Sequence, residues 1–143
     1  MPCGYWGREL VVGNIYRGNA VQVITALAAL AGHSWPIYAG FRGGKGVATV
    51  LGGLLVISPV TFLATVVVAF ILIAKYRYVS LGSVVGAITA FLVLSLHTFL
   101  TSGPIIYFPY AVIGTSLVIF RHRDNIRRLT MGTEARIGGG ARS

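Results

Sequence analysis

The chain has 143 residues, of which 55% are hydrophobic and only 10% charged, and its mean hydropathy is +0.79. A soluble domain carries roughly a quarter charged residues, so this composition excludes an ordinary water-soluble fold and points to lipid as the solvent. The net charge of +9 does not point to nucleic acid, because half of the cations lie from Arg121 onward and most others flank apolar runs, a pattern that orients helices in anionic lipid.

Cys3 is the single cysteine, which rules out an internal disulfide and a cysteine-based metal centre. Residues 1–19 hold Arg8, Glu9, Arg17 and four glycines, lack the apolar core and cleavage site of a signal peptide, and read as a loop or interfacial segment. Residues 20–136 form the expected transmembrane core, and residues 137–143 a flexible tail.

Ala20 to Tyr38 is the first apolar run, and about nineteen residues at 1.5 Å each nearly match a hydrocarbon layer of about 30 Å. Gly32-His33-Ser34-Trp35-Pro36 interrupts it near its end. Pro36 breaks the helical ladder, while Trp35 and Tyr38 suit the membrane interface. His33 reads as a hydrogen-bonded packing residue at that helix end rather than a ligand.

Gly40-Phe41-Arg42-Gly43-Gly44-Lys45-Gly46-Val47-Ala48-Thr49 follows, with four glycines and two cations between apolar segments. Glycines let successive N–H groups converge on one point, and the helix opening at Val47 turns its positive dipole end toward the same place. A phosphate is the natural guest. Ala39 and Gly46 stand where a Walker loop needs Gly and Ser/Thr, so that motif is absent. Spacing alone leaves a second reading open, a cytoplasmic glycine turn whose cations obey the positive-inside rule.

Val47 to Ala74 is a long apolar stretch cut by Ser58-Pro59. A single kinked helix would put Arg42 and Lys45 on the side opposite Lys75 and Arg77, whereas a bent-back pair puts all four on one side. The positive-inside rule favours the pair, with a short first member. Ser80 to His97 and Ile105 to Phe120 are the last two runs, joined by the uncharged turn Phe99-Leu100-Thr101-Ser102-Gly103-Pro104. The expected fold is an all-α, polytopic membrane bundle of about five apolar segments, one short, plus a basic C-terminal helix on the cytoplasmic side.

Arg121-His122-Arg123-Asp124-Asn125-Ile126-Arg127-Arg128-Leu129 is that basic helix, and helical spacing puts His122 and Asn125 on one face with Ile126 and Leu129 on its apolar side. A histidine and an amide at the mouth of a bundle can hold a hydroxyl or phosphate oxygen, and the imidazole can take a proton near neutral pH. A basic amphipathic helix lying on anionic lipid has the same pattern. Ser80 suits a helix N-cap, and near a phosphate nest its hydroxyl could donate to the anion. Glu134 sits among arginines and is expected to pair with Arg127 or Arg128. There is no Ser-His-Asp set, carboxylate pair or metal cluster, which suits chemistry on an already activated substrate that the protein positions and neutralises.

Taken together these stretches resemble the bacterial acyl-phosphate-dependent glycerol-3-phosphate acyltransferase family. The resemblance runs over about Val21 to Glu134 and rests on Gly32 to Pro36, Phe41 to Thr49, Tyr78 to Leu81, His122 to Leu129 and Gly132-Thr133-Glu134. It implies an integral enzyme of the bacterial inner membrane, with its active face cytoplasmic, that moves a fatty acyl group from acyl phosphate to the sn-1 hydroxyl of glycerol 3-phosphate. The products would be lysophosphatidic acid and phosphate, with no cofactor or metal, and a separate enzyme would supply the acyl phosphate. The resemblance maps phosphate binding onto Gly43, Gly44, Lys45, Gly46 and Ser80, active-site roles onto His122 and Asn125, and a structural role onto Glu134.

The family's N-terminal helices and its Ser/Asn/Gly-rich motif have no counterpart in Met1 to Gly18, so the chain is expected to be an N-terminally truncated portion. The competing function is a non-catalytic membrane protein, such as part of an anion transporter or channel, or an inactive fragment.

Overall fold

The computed structural model describes residues 5–36 and 43–138, and within them the chain forms six helices: α1 (Tyr5–Ser34), α2 (Val47–Ile57), α3 (Pro59–Tyr76), α4 (Val79–Leu100), α5 (Tyr107–Arg121) and α6 (Arg123–Thr130). Among the described residues there is no strand. Tyr38, Gly40, Phe41 and Arg42 lie outside the described residues.

Of the two expectations for residues 1–19, a loop or an interfacial segment, the loop gives way to helix from Tyr5 onward, because α1 continues unbroken through that stretch for 30 residues. Each interior glycine costs about 1 kcal/mol relative to alanine. In apolar surroundings an unpaired amide costs several times more, so a helix that closes its own hydrogen bonds outweighs the glycines. The helix ends at Ser34, two residues before Pro36, where the ladder has to stop.

Ser58 divides the second apolar stretch. Its backbone is extended at φ −153°, ψ 93°, its Oγ accepts from the Thr61 N–H at 3.3 Å, and Pro59 occupies the first helical position, where a missing N–H costs nothing. The two helices fold back on one another: Val47 at the start of α2 lines the same crevice as Ala69, eleven residues past the break. The bent-back pair is therefore the arrangement adopted, and Lys45 and Arg77 lie at the same end of the bundle. At about 1.5 Å per residue, α2 is about half as long as a bilayer core is thick.

α3 and α4 pack antiparallel at close range, with Gly82 against the carbonyl of Ala69 and Gly86 against its methyl. Such small-residue contacts are how helices associate in lipid, where hydrophobicity gives no preference for protein over solvent. α5 closes the bundle. Tyr110 is buried there and its hydroxyl donates to Val50 O at 2.8 Å, while Leu30, Leu54, Leu94 and Val118 fill the remaining core. The outer surface is as apolar as the core: Phe70 is 71% exposed, Leu100 75% and Ile105 76%. α3 and α4 are each long and apolar enough to cross a membrane.

Gly46 caps α2 in the left-handed region at φ 76°, and a Cβ there would stand 2.9 Å from Leu30 Cδ1. An L side chain in that conformation costs about 1–2 kcal/mol before any clash is relieved. Gly46→Ala is accordingly expected to lower the melting temperature of the purified protein in detergent, and an unaltered melting curve would contradict the geometry.

Candidate active site at one rim of the bundle

The end of the bundle that carries Lys45 and Arg77 also carries the start of α4, the α5–α6 junction and the segment after α6. They enclose a cavity of about 410 Å³ lined by Lys45, Val47, Ala48, Leu51, Val79, Ser80, Ser83, His122, Asn125, Glu134 and Ala135. Positions up to 90 residues apart in sequence thus share one pocket.

A chain of hydrogen bonds runs along its wall. Lys45 Nζ donates to Asn125 Oδ1 at 2.8 Å, and Asn125 Nδ2 donates to Glu134 Oε1 at 2.7 Å. Ser80 Oγ donates to the same carboxylate oxygen at 2.9 Å, and Arg128 Nε donates to Glu134 Oε2 at 2.7 Å. An ammonium only donates and a carboxylate only accepts, so the Asn125 amide has a single consistent orientation. Burial opposes ionisation of Glu134, yet hydrogen bonds from Asn125, Arg128 and Ser80, together with the charge on Arg128, hold its carboxyl below the usual carboxylate range. Lys45 keeps two further N–H donors beyond the one it gives to Asn125.

His122 lies between α5 and α6 and is only 2% exposed. Its Nδ1 is 2.8 Å from Val118 O, and since a carbonyl only accepts, Nδ1 bears the hydrogen and the neutral ring presents a bare Nε2. Burial pushes the imidazole below its ordinary range; the bond to Val118 resists this, the nearby Lys45 charge adds to it, and Glu134 opposes it. The result is a neutral imidazole at neutral pH, with a lone pair on a side chain that lines the cavity.

Of the residues singled out in the sequence, Lys45, Ser80, His122, Asn125 and Glu134 come together. Gly43 and Gly44 do not reach the cavity wall: Gly43 packs on the backbone carbonyls of His33 and Ser34, and Gly44 on the His33 ring. What the loop and the helix after it present to the cavity is Lys45 with Val47 and Ala48. Ser80 is not the N-cap of α4, a position that Tyr78 holds without a side-chain bond. Its hydroxyl goes to Glu134 instead. Glu134 pairs with Arg128, one of the two arginines expected. The inner face of α6 is spent on the cavity, Arg123 and Arg127 are exposed, and Arg128, exposed as well, turns its guanidinium to Glu134.

Ser83 is a lining residue that the sequence reading passed over, although its spacing of three from Ser80 puts both hydroxyls on one helical face. Arg121 is another missed residue. Its guanidinium reaches back to the end of α1, where Nη2 donates to Ser34 O and the group lies 5.5 Å from the Trp35 ring centroid.

A lipid-solvated helical bundle with cations, hydroxyls, an amide and a neutral imidazole around one rim cavity is a polytopic membrane protein equipped to bind an anion. The chain belongs to the glycerol-3-phosphate acyltransferase family, whose description, Glycerol-3-phosphate acyltransferase, matches residues 6–132. It is 39% identical over 129 residues to a glycerol-3-phosphate acyltransferase of Thermoanaerobacter pseudethanolicus, covering 90% of this chain and 63% of that one. It is 42% identical over 116 residues to glycerol-3-phosphate acyltransferase 3 of Dehalococcoides mccartyi, covering 81% and 54%.

Among solved structures it is similar to PlsY (YgiH), an integral membrane glycerol 3-phosphate acyltransferase. Against the glycerol 3-phosphate form the TM-score is 0.73 at 40% identity, over 81% of this chain and 56% of that one. Against the lysophosphatidic acid form it is 0.72 at 40% identity, over 80% and 56%. The chain thus spans between 54% and 63% of the length of these relatives.

Proposed function

We propose that the chain transfers a fatty acyl group from acyl phosphate to the sn-1 hydroxyl of glycerol 3-phosphate, releasing lysophosphatidic acid and inorganic phosphate. The observation that carries this reading is the convergence of Lys45, Asn125, Ser80 and His122 on one cavity. The forms in which the similar PlsY was solved name a compatible substrate and product.

In this reading Lys45 and the N-terminal end of α2 neutralise phosphate, with the Ser80 hydroxyl and the Asn125 amide beside them. The attacking hydroxyl oxygen bonds to the acyl carbon, the bond from that carbon to the phosphate oxygen breaks, and phosphate departs with the electron pair. Nε2 of His122 accepts the hydroxyl proton. Acyl phosphate is a mixed anhydride, so no protein nucleophile is required. Glu134 holds the Asn125 amide toward Lys45 and takes no part in proton transfer.

The first carbons of the acyl chain are assigned to the narrow apolar crevice, about 30 Å³, that shares Val47, Leu51 and Ser83 with the polar cavity and is lined further by Ala87, Ala90 and Val118. Each methylene buried there contributes about 0.8 kcal/mol. The cavity opens on the cytoplasmic face of the bacterial inner membrane, a reading supported by Lys45, Lys75, Arg77, Arg121, Arg123, Arg127 and Arg128 at that end of the helices. A separate enzyme supplies the acyl phosphate.

The test is direct. Membranes carrying the chain, incubated with acyl phosphate and labelled glycerol 3-phosphate, are expected to give lipid-bound label. Absence of label, or label formed only from an acyl thioester, would overturn the assignment.

A further inference from the structure

We infer that Arg121, which does not line the cavity, is a positioning residue that fixes the separation between the two halves of the site; this rests on the acyltransfer reading for its kinetic consequence but not for its geometry. Arg121 is the last residue of α5 and adjoins His122. Its guanidinium crosses to α1, where it donates to the carbonyl of Ser34 and lies over the ring of Trp35.

That carbonyl belongs to the last residue of a helix and has no backbone donor among the described residues, so a cation is well placed there. The same carbonyl is also the floor on which Gly43 rests, since any Cβ at residue 43 would collide with it and with the carbonyl of His33. The backbone leading to Lys45 is thus seated on the atom that Arg121 holds.

The path closes on itself. From Ser34 it passes through Gly43 to Lys45, from Lys45 Nζ to Asn125 on α6, and through the α6 backbone to His122 and Arg121. Lys45 and His122 belong to different segments; below the rim the Tyr110–Val50 bond ties α5 to α2, and at the rim two further polar links bear on the distance between them. One is the Lys45–Asn125 bond inside the cavity. The other is the Arg121 clasp outside it. When substrate phosphate engages Lys45 the first link competes with the ligand, and the clasp is the link that keeps the loop in register.

The structure accordingly assigns Arg121 an effect on glycerol 3-phosphate and not on the acyl donor's apolar chain. Arg121→Gln is expected to raise KM for glycerol 3-phosphate about tenfold with KM for acyl phosphate unchanged, because a displaced cation loses phosphate binding first. Arg121→Lys keeps the charge but not the planar fork, and is expected to restore part of the loss. Trp35→Leu removes only the aromatic platform, and is the milder variant if Arg121→Gln fails to accumulate.

A second measurement needs no substrate. Spin labels on cysteines introduced at Thr49 and Arg127, in a Cys3→Ser background, report the distance between α2 and α6. Arg121→Gln is expected to broaden that distribution and Arg121→Lys to narrow it again. Unchanged distances together with unchanged KM would overturn the inference. If the parent chain makes no product in these membranes, the acyltransfer reading fails by itself, and the distance measurement still decides for or against the clasp.

Discussion

Replacing His122 with Asn is expected to lower the rate of lysophosphatidic acid formation by about 10²- to 10⁴-fold, the range a positioned general base contributes. The residue is buried, its Nδ1 hydrogen is committed to Val118 O, and its remaining ring nitrogen is the basic group of a side chain in the cavity wall. An amide at that position can still occupy the space and donate a hydrogen bond, yet it cannot take a proton.

The pH dependence follows from the direction of the shift. The folded protein disfavours the imidazolium, so the neutral ring persists below the ordinary imidazole value of about 6.5. The acid limb of the rate is therefore expected to lie below pH 6.5 and to disappear in the Asn variant. The same residue makes the fold less stable as pH falls below about 6.5, because the unfolded chain then binds the proton more readily than the folded one. Glu134 acts in the same direction at lower pH: its stabilising hydrogen bonds are lost as the pH falls through its depressed folded value. A rate profile centred above the ordinary value, or a variant that keeps its acid limb, would remove His122 from the proton-transfer step.

Lys45→Ala is expected to raise KM for glycerol 3-phosphate by about 10- to 100-fold, since a hydrogen bond to a charged group contributes roughly 1.5–3 kcal/mol. Lys45 supplies the cavity with a cation whose bond to Asn125 also orients the amide between it and Glu134. Loss of the ammonium therefore removes a phosphate partner and leaves the Asn125 carbonyl oxygen without its donor. Kinetics at saturating acyl phosphate isolate the effect. An unchanged KM would show that phosphate is held elsewhere.

Much of this site could be read from the chain alone because its parts are local. The cation after two glycines, the serine near a helix start and the His-x-x-Asn spacing are each contained within a few residues. What joins them was not visible, since hydrogen bonds such as Lys45 to Asn125 and Ser80 to Glu134 span 80 and 54 positions. Ser80 illustrates the difficulty: its residue type and place suit a cap, and only the return of the chain after α6 puts a carboxylate within reach of its hydroxyl. The glycines carry two signals at once. Their sequence suggests a backbone cradle, and the structure adds a packing reason, since the end of α1 lies against Gly43 and Gly44.

The fold was readable for a similar reason and failed in a similar place. Apolar runs and Ser58-Pro59 mark helices through burial in lipid and through the missing proline N–H, both local effects. The helical course of α1 back to Tyr5 was missed because propensity weighs each glycine separately, while backbone hydrogen bonding in apolar surroundings acts over the whole helix. Arg121 looked like one cation among several after a membrane span. Its place on Trp35 and Ser34 depends on how α1 and α5 meet, which no single segment encodes.

The central claim is that one water-facing cavity holds glycerol 3-phosphate between the loop before α2 and the segment after α6. It is tested most directly with single cysteines at Ala48 and Ala135, both cavity-lining and exposed, in a Cys3→Ser background. Sealed vesicles of known orientation are treated with a membrane-impermeant maleimide, with and without glycerol 3-phosphate. The account predicts that both positions react from the same side and that glycerol 3-phosphate slows both. Reaction from opposite sides, or reaction that saturating glycerol 3-phosphate leaves unchanged at both positions, would contradict it.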